Sequence, residues 1–189
     1  MKKSIGAQTI LPGLPLLIIG SYDNKLQPNL IACSWGGICC SEPPCVNISI
    51  RKARHSYESI VSRMAFTVNI PFSDQVKEAD FYGIVSGRDH NKFEKTGITP
   101  VKSEIVDAPY GKEFPMVLEC KVIHQFDIGS HTEFIGEIVD IKVEDCLLDS
   151  SGKIIGRKLD PILCIPEIRE YYALGKYLGK GFSEGKSIL

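Results

Sequence analysis

The sequence predicts a mainly β protein, an antiparallel barrel or sandwich with a few short helices. Most of its 189 residues fall in short segments where apolar and polar residues alternate, the period of a half-buried strand. The clearest case is a long hairpin over residues 116–143, with Gly129 and Ser130 at its turn. Because no βαβ rhythm, linker or repeat interrupts this pattern, we expect one domain over residues 1–189.

The first predicted strands form an opening hairpin. Residues 14–21 are apolar, residues 23–25 supply turn chemistry, and an apolar run resumes at residues 30–34. Gly36 and Gly37 then indicate a bend. After two prolines, alternation over residues 46–50 predicts a strand that ends near Arg51.

The next segment changes to helical period. Tyr57, Ile60, Val61 and Met64 lie at i, i+3, i+4 and i+7, which predicts a helix whose N-cap is Ser56 or, just before it, His55. A strand over residues 66–70, a short helix over residues 73–83 and a polar loop over residues 86–92 follow.

The long hairpin and the C-terminal tail each lead to one further structural prediction. His124 lies on the apolar face of the long hairpin, so we expect a hydrogen-bonded core histidine there. The tail, residues 161–189, lacks a clear period, and we expect an irregular segment that covers part of the body or contacts a partner subunit.

Composition excludes several classes of protein. The formal net charge is -1, so no overall field favours nucleic acid. No apolar run approaches the roughly 18 residues of a membrane span, and no signal peptide is evident, so we expect a cytoplasmic protein without a membrane partner. Seven cysteines, an odd number without C-x-x-C spacing, predict reduced thiols and no metal site.

Residues 49–56 carry the strongest chemical signal, three permanent cations and a histidine at the join between a strand and a helix N-terminus. Helix N-termini offer unpaired N–H donors, and arginine binds phosphate oxygens bidentately. A terminal phosphate monoester fits such a site. The alternative is a solvated basic turn.

Residues 29–37 form a second candidate site around the only tryptophan, Trp35. Small residues and glycines there allow backbone to approach a flat ligand such as a flavin ring, which Asn29 or Ser34 would meet with hydrogen bonds. Alternatively, Trp35 is a core or interface residue. His131, at the start of a strand, is a candidate proton donor or nicotinamide neighbour, and the alternative there is a surface histidine.

The absence of several motifs excludes the protein classes that carry them. Dinucleotide-binding, P-loop, nucleophile-elbow and zincin signatures do not occur.

Taken in order along the chain, the segments resemble the flavin reductase-like FMN-binding family and, within it, the flavoredoxin group. The resemblance covers nearly the whole chain and rests on residues 29–35, 41–51, 55–57, 66–71, 86–89, 91–93, 118–120, 129–132, 134–137, 171–175 and 181–183.

This resemblance implies a split β-barrel, antiparallel with Greek-key topology, that forms a homodimer and holds one non-covalent FMN per subunit near the interface. It implies that the phosphate is surrounded by Arg51, Arg54, His55 and Ser56. The ring is then lined by Asn29, Ala32, Cys33, Ser34 and Trp35, and the pocket is completed by Ser86 and Lys92. Ser49 and Ile50, at the end of the strand before Arg51, belong to the same predicted set.

For function, the resemblance implies electron transfer through FMN, with NAD(P)H or a redox protein as donor. The alternatives are an NAD(P)H-dependent flavin reductase and, from another class, a non-catalytic flavin-binding module. Nucleic-acid binding through residues 51–55 is poorly supported, because no aromatic residues interleave with the cations.

Overall fold

The computed structural model describes residues 1–188 and consists mainly of β-strands. The strands are β1 (Leu14–Pro15), β2 (Leu17–Tyr22), β3 (Pro28–Cys33), β4 (Gly36–Ser41), β5 (Pro44–Ile50), β6 (Ala65–Ile70), β7 (Pro100–Lys102), β8 (Pro109–Gly111), β9 (Met116–Ile128), β10 (His131–Val143), β11 (Ile162–Ile165) and β12 (Glu170–Ala173). The α-helices are α1 (Ser56–Arg63), α2 (Val76–Ile84) and α3 (Lys92–Thr96), and short 3-10 turns cover Ser73–Gln75, Asp145–Leu147, Gly156–Lys158 and Glu184–Ile188. None of the helices within residues 1–188 is both long and apolar enough to cross a lipid bilayer.

Seven strands form one antiparallel sheet in the order β3-β2-β6-β9-β10-β5-β4. The sheet curls until β3 and β5 approach each other near Trp35. Cys33 Sγ lies 3.8 Å from the Ser49 carbonyl oxygen, and the Ser49 N–H donates to the Trp35 carbonyl at 2.7 Å. The predicted mainly β, antiparallel architecture with few helices is confirmed.

Each face of this sheet packs against its own apolar cluster. Alternate residues of β2, for example Ile19, point into the interior, where Phe66, Val68 and Phe134 are fully buried. The opposite face, which includes Ile18, is covered by α2 and α3. Burying a side chain of this size contributes about 1.5–3 kcal/mol, so both faces hold the strands that carry the site.

Helix α1 begins at Ser56 and confirms the predicted helix. Its buried Ile60 packs into the interior cluster, and the Tyr57 ring meets Phe134 edge-on at 5.9 Å between centroids. Arg63, in its last turn, donates to the carbonyl oxygens of Tyr22 and Asp23 at 2.9 and 2.7 Å. The helix is therefore anchored at both ends, and its N-terminus is held beside the end of β5.

Three expectations were wrong. Gly36 and Gly37 do not form a bend but begin β4, which pairs with β5 and bulges between Ile38 and Cys40. The tail is not irregular throughout: β11 and β12 pair with each other, and β11 pairs with β1. His124 is exposed, because the outer half of the β9–β10 hairpin extends beyond the core.

Candidate functional site

Two adjoining cavities lie where β3, β5 and α1 meet. The first, of about 410 Å³, is called the Trp35 cavity and is lined by Ile31, Ala32, Cys33, Ser34, Trp35, Ser49, Ile50, Arg51, Arg54, His131, Pro166 and Arg169. The second, of about 240 Å³, is called the Lys92 cavity and is lined by Asn29, Ile31, Ala53, Arg54, His55, Ser56, Val85, Ser86, Gly87, Arg88 and Lys92. Ile31 and Arg54 line both, so the two cavities form one continuous site.

The sequence-predicted site residues all line this site. Ala32, Cys33, Ser34, Trp35, Ser49, Ile50, Arg51 and His131 lie on the Trp35 cavity. Asn29, His55, Ser56, Ser86 and Lys92 lie on the Lys92 cavity, and Arg54 joins the two. Arg51, expected beside a phosphate, lines the Trp35 cavity and not the Lys92 cavity.

The end of β3 builds one wall of the Trp35 cavity. Beyond Cys33 the chain turns at Trp35, whose carbonyl oxygen is held by the Ser49 N–H. Burial raises the pKa of the Cys33 thiol to about 11, so this group is neutral at physiological pH. His131 also lines this cavity, and its ring meets Trp35 edge-on at 6.3 Å between centroids.

The same cavity is strongly basic. Arg51, Arg54 and Arg169 line it together with His131, and none of the Asp or Glu residues within residues 1–188 does. Partial burial, and to a smaller extent Arg51, lowers the pKa of His131. Within residues 1–188, none of these three guanidinium groups forms a salt bridge. The Trp35 cavity therefore combines apolar walls and hydroxyl groups with uncompensated positive charge.

Lys92 is the buried cation of the second cavity, with only 2% of its surface exposed. Its Nζ donates to the carbonyl oxygens of Leu30 and Tyr82 at 2.7 and 2.9 Å. Burial, reinforced by Arg54, lowers its pKa to about 8. An ammonium has three donors, so one remains for a ligand.

The loop after α2 closes tightly over this cavity. A Cβ on Gly87 would lie 2.2 Å from Asn29 Oδ1 and 2.7 Å from His55 Cδ2, so only glycine fits there without displacing them. The Asn29 amide is in turn fixed by donating to Ser56 Oγ at 2.8 Å. Arg88 donates to the Ala53 carbonyl at 3.2 Å, which ties the loop to the turn before α1.

Helix α1 adds to the positive potential of the Lys92 cavity. His55 occupies its N-cap position, and its side chain makes no capping hydrogen bond. Ser56, the first residue of the helix, lines the cavity with Arg54, His55 and Lys92, so the positive end of the helix dipole lies beside these cations. Burial, together with Arg88 and Lys92, lowers the pKa of His55. Such a site favours an anion.

Seven lining residues are absent from the sequence-predicted set: Ile31, Ala53, Val85, Gly87, Arg88, Pro166 and Arg169. The first five lie within or beside segments that the sequence had singled out, whereas Pro166 and Arg169 lie far from them, in the turn between β11 and β12. Arg169 has a left-handed backbone, with φ of 56°, and its N–H donates to the Ile165 carbonyl at 3.0 Å. Nothing in the local sequence indicates that this turn reaches the cavity. Cys164 on β11 contributes to its placement, since its thiol lies 2.9 Å from Ser34 Oγ.

Known proteins share this architecture. A family model described as "Flavin reductase like domain" matches residues 13–160. Flavoredoxin of Desulfovibrio vulgaris (Miyazaki F) is 49% identical, with a TM-score of 0.93 over 98% of this chain and 100% of that chain. Flavoredoxin from Methanosarcina acetivorans is 29% identical, with a TM-score of 0.91 over all of both chains. An uncharacterised protein of Archaeoglobus fulgidus is 29% identical over 161 residues, which are 85% of this chain and 83% of that protein.

Proposed function

Because the chain belongs to the flavin reductase-like family, we propose that it is an FMN-binding electron-transfer protein of the flavoredoxin type. The observation that carries this proposal is the pair of adjoining cavities that share Arg54: both contain cations, and the larger one also has Trp35, apolar and hydroxyl groups on its walls. The larger cavity suits the planar ring of FMN, and the smaller one suits its phosphate.

The fit to the ring rests on the Trp35 cavity. Its volume, about 410 Å³, lies in the range of small-molecule sites, roughly 300–1,000 Å³. Ile31 and Ile50 supply apolar surface, and Ser34 and Ser49 supply hydroxyl groups for the polar edge of a flavin. Trp35 flanks the space in which the ring would lie.

The fit to the phosphate rests on the Lys92 cavity. A phosphate monoester carries about two negative charges near neutral pH, and Arg54, His55 and Lys92 surround a space of about 240 Å³ beside the N-terminus of α1. The close approach of Gly87 to Asn29 makes this space narrow. These features favour FMN over riboflavin, which lacks the phosphate.

Bound FMN would supply one- and two-electron redox chemistry at its ring. The residues of this chain would orient the ring between Trp35 and the end of β5. Arg51 and Arg169 place positive charge at the Trp35 cavity, which favours added electrons. The neutral Cys33 thiol adds no opposing charge.

The electron donor in this proposal is a redox protein. A second candidate is an NAD(P)H-dependent flavin reductase, and one observation favours it: Arg51 and Arg169 supply more positive charge than a flavin ring alone requires. A phosphorylated nicotinamide cofactor would balance that charge. Mixing the protein with NADH or NADPH anaerobically in a stopped-flow instrument separates the two. Rapid bleaching of the flavin band supports the reductase, and no bleaching supports a protein donor.

The proposal includes a homodimer. Exposed apolar residues at the free end of the β9–β10 hairpin support it, since Phe126 and Ile128 are 48% and 55% exposed. Size-exclusion chromatography with light scattering tests this point: a mass of one chain would contradict it. A cytoplasmic location and the lack of a nucleic-acid or membrane partner stay predictions.

The cofactor itself is tested by purifying the protein without added flavin. We expect a yellow protein that releases FMN on heating, identified by chromatography against FAD and riboflavin standards. A colourless protein that takes up no FMN would overturn the proposed function.

A further inference from the structure

The β4–β5 hairpin carries three cysteines that take no part in the proposed flavin site. Cys39 and Cys40 lie on β4, Cys45 lies on β5, and none of them lines either cavity. All three are free thiols. Cys40 and Cys45 are directly opposed in the strand register, one pair away from the turn, while Cys39 lies at the bulge.

The register places Cys40 and Cys45 at a distance that a disulfide can span. Opposed residues of antiparallel strands have Cα atoms roughly 4.5–5.5 Å apart, and disulfides join Cα atoms about 4.4–6.8 Å apart. Side chains of such a pair lie on the same face of the sheet. A bond between the two sulfur atoms is therefore compatible with the strand register.

The contacts of the two thiols agree with this placement. Cys40 Sγ lies 3.4 Å from the Glu42 carbonyl oxygen, and Cys45 Sγ lies 3.3 Å from the Pro43 carbonyl oxygen. Those carbonyls belong to adjacent residues of one turn, so both sulfur atoms are drawn to the same end of the hairpin. Burial, followed by the neighbouring Cys40 thiol, raises the pKa of Cys45.

The two thiols differ in access to solvent. Cys40 is exposed, whereas Cys45 is only 2% exposed. We propose that Cys40 and Cys45 form a thiol–disulfide exchange site for low-molecular-weight disulfides, with Cys40 as the residue that reacts first and Cys45 as the residue that resolves the product.

The chemistry balances in two steps. The Cys40 thiolate attacks one sulfur of the small disulfide, forms a mixed disulfide, and releases the first small thiolate. The Cys45 thiolate then attacks Cys40 Sγ, forms the Cys40–Cys45 bond, and releases the second small thiolate. The protein loses two protons and two electrons, and the small disulfide is reduced to two thiols. The site needs no flavin, so it stands independently of the proposed function.

The test uses oxidised glutathione, the full-length protein with its native cofactor content, and mass spectrometry at about pH 8, where thiolates are more abundant. We expect peptide mapping to show Cys40 joined to Cys45, in a peptide that has lost two hydrogens. Cys146, which is exposed and hydrogen-bonded to Glu144 with no cysteine opposite it, provides the internal control. It is expected to hold only a glutathione mixed disulfide.

Variants distinguish the roles of the two cysteines. In Cys45→Ser, and in Cys45→Ala if the serine variant is unstable, the glutathione adduct is expected to accumulate on Cys40. Cys39→Ser is expected to leave the Cys40–Cys45 link unchanged. A lasting glutathione adduct on Cys40 of the wild-type protein, or a link between Cys39 and Cys45, would overturn the proposal.

Discussion

Replacing Arg54 by glutamine tests whether the residue shared by the two cavities binds the phosphate of FMN. Arg54 is exposed, forms no salt bridge within residues 1–188, and lines both cavities. Its removal leaves no buried partner unsatisfied, so we expect little change in stability. A hydrogen bond to a charged group contributes about 1.5–3 kcal/mol. The dissociation constant for FMN should therefore rise about 10-fold to about 150-fold.

The assay is a titration of protein stripped of flavin, with FMN and with riboflavin in parallel. Because riboflavin has no phosphate, its affinity should be nearly the same for the Arg54→Gln variant and the wild type. Lys52→Gln is the matched control: Lys52 is two residues away, lines neither cavity and pairs with Asp127 at 2.6 Å. Its FMN affinity should be unchanged.

Two outcomes would refute the reasoning about Arg54. One is an equal loss of affinity for FMN and riboflavin, which would assign Arg54 to the ring or to the fold. The other is unchanged FMN affinity in Arg54→Gln, which would remove Arg54 from the phosphate site.

Three further predictions concern the Lys92 cavity and the core. Gly87→Ala would bring a Cβ to 2.2 Å from Asn29 Oδ1, so Asn29, which lines the Lys92 cavity, would have to shift. If FMN binding requires its original position, an overpacking cost of about 1–3 kcal/mol raises the FMN dissociation constant about 5-fold to about 150-fold, measured by flavin-fluorescence titration. The Lys92 pKa of about 8 rises when a phosphate dianion binds beside it, so the contribution of Lys92 to FMN affinity is fully present between about pH 7 and about pH 8 and is lost as the pH rises above that range. Gly136→Ala would bring a Cβ to 2.5 Å from Phe66 Cζ, so urea denaturation should show a loss of about 1–3 kcal/mol.

Each of these predictions has a control. Gly83→Ala is the control for Gly87→Ala, since a Cβ at Gly83 would lie 3.5 Å from Ala32, an ordinary contact. Equal FMN affinities in the two variants would contradict the close fit of the loop over the Lys92 cavity. Riboflavin serves for the pH dependence, and a flat FMN affinity between about pH 7 and about pH 9.5 would refute the role of Lys92. Gly37→Ala serves for Gly136, because its Cβ would meet nothing within 4 Å, and equal unfolding midpoints would contradict the packing argument.

Local patterns predicted most of the fold. The alternation over residues 116–143 predicted β9 and β10 closely, and the helical spacing from Tyr57 to Met64 predicted α1. These elements each have one face in the core, so their period appears in the sequence. Strand β4 was missed because it begins with two glycines and bulges at Cys39, so its stability comes from pairing with β5 and not from its own residues.

The site was predictable where it lies on regular elements. Two short stretches, residues 29–35 and residues 49–56, contain most of the predicted site residues. Each stretch includes the end of a strand, so its binding groups are neighbours in the sequence and can be recognised there. Arg169 was not predictable, since it reaches the Trp35 cavity only through the pairing of β11 with β1 and β12. Long-range pairings of such short strands leave no period to recognise.

Trp35 provides the most direct measurement of the central claim, that a flavin ring lies beside the end of β3. It is the only tryptophan of the chain, so the tryptophan emission comes from a residue that lines that cavity. Titrating flavin-free protein with FMN should quench this emission and saturate at one FMN per chain. Emission that stays unchanged while FMN binds would place the ring elsewhere and contradict the account.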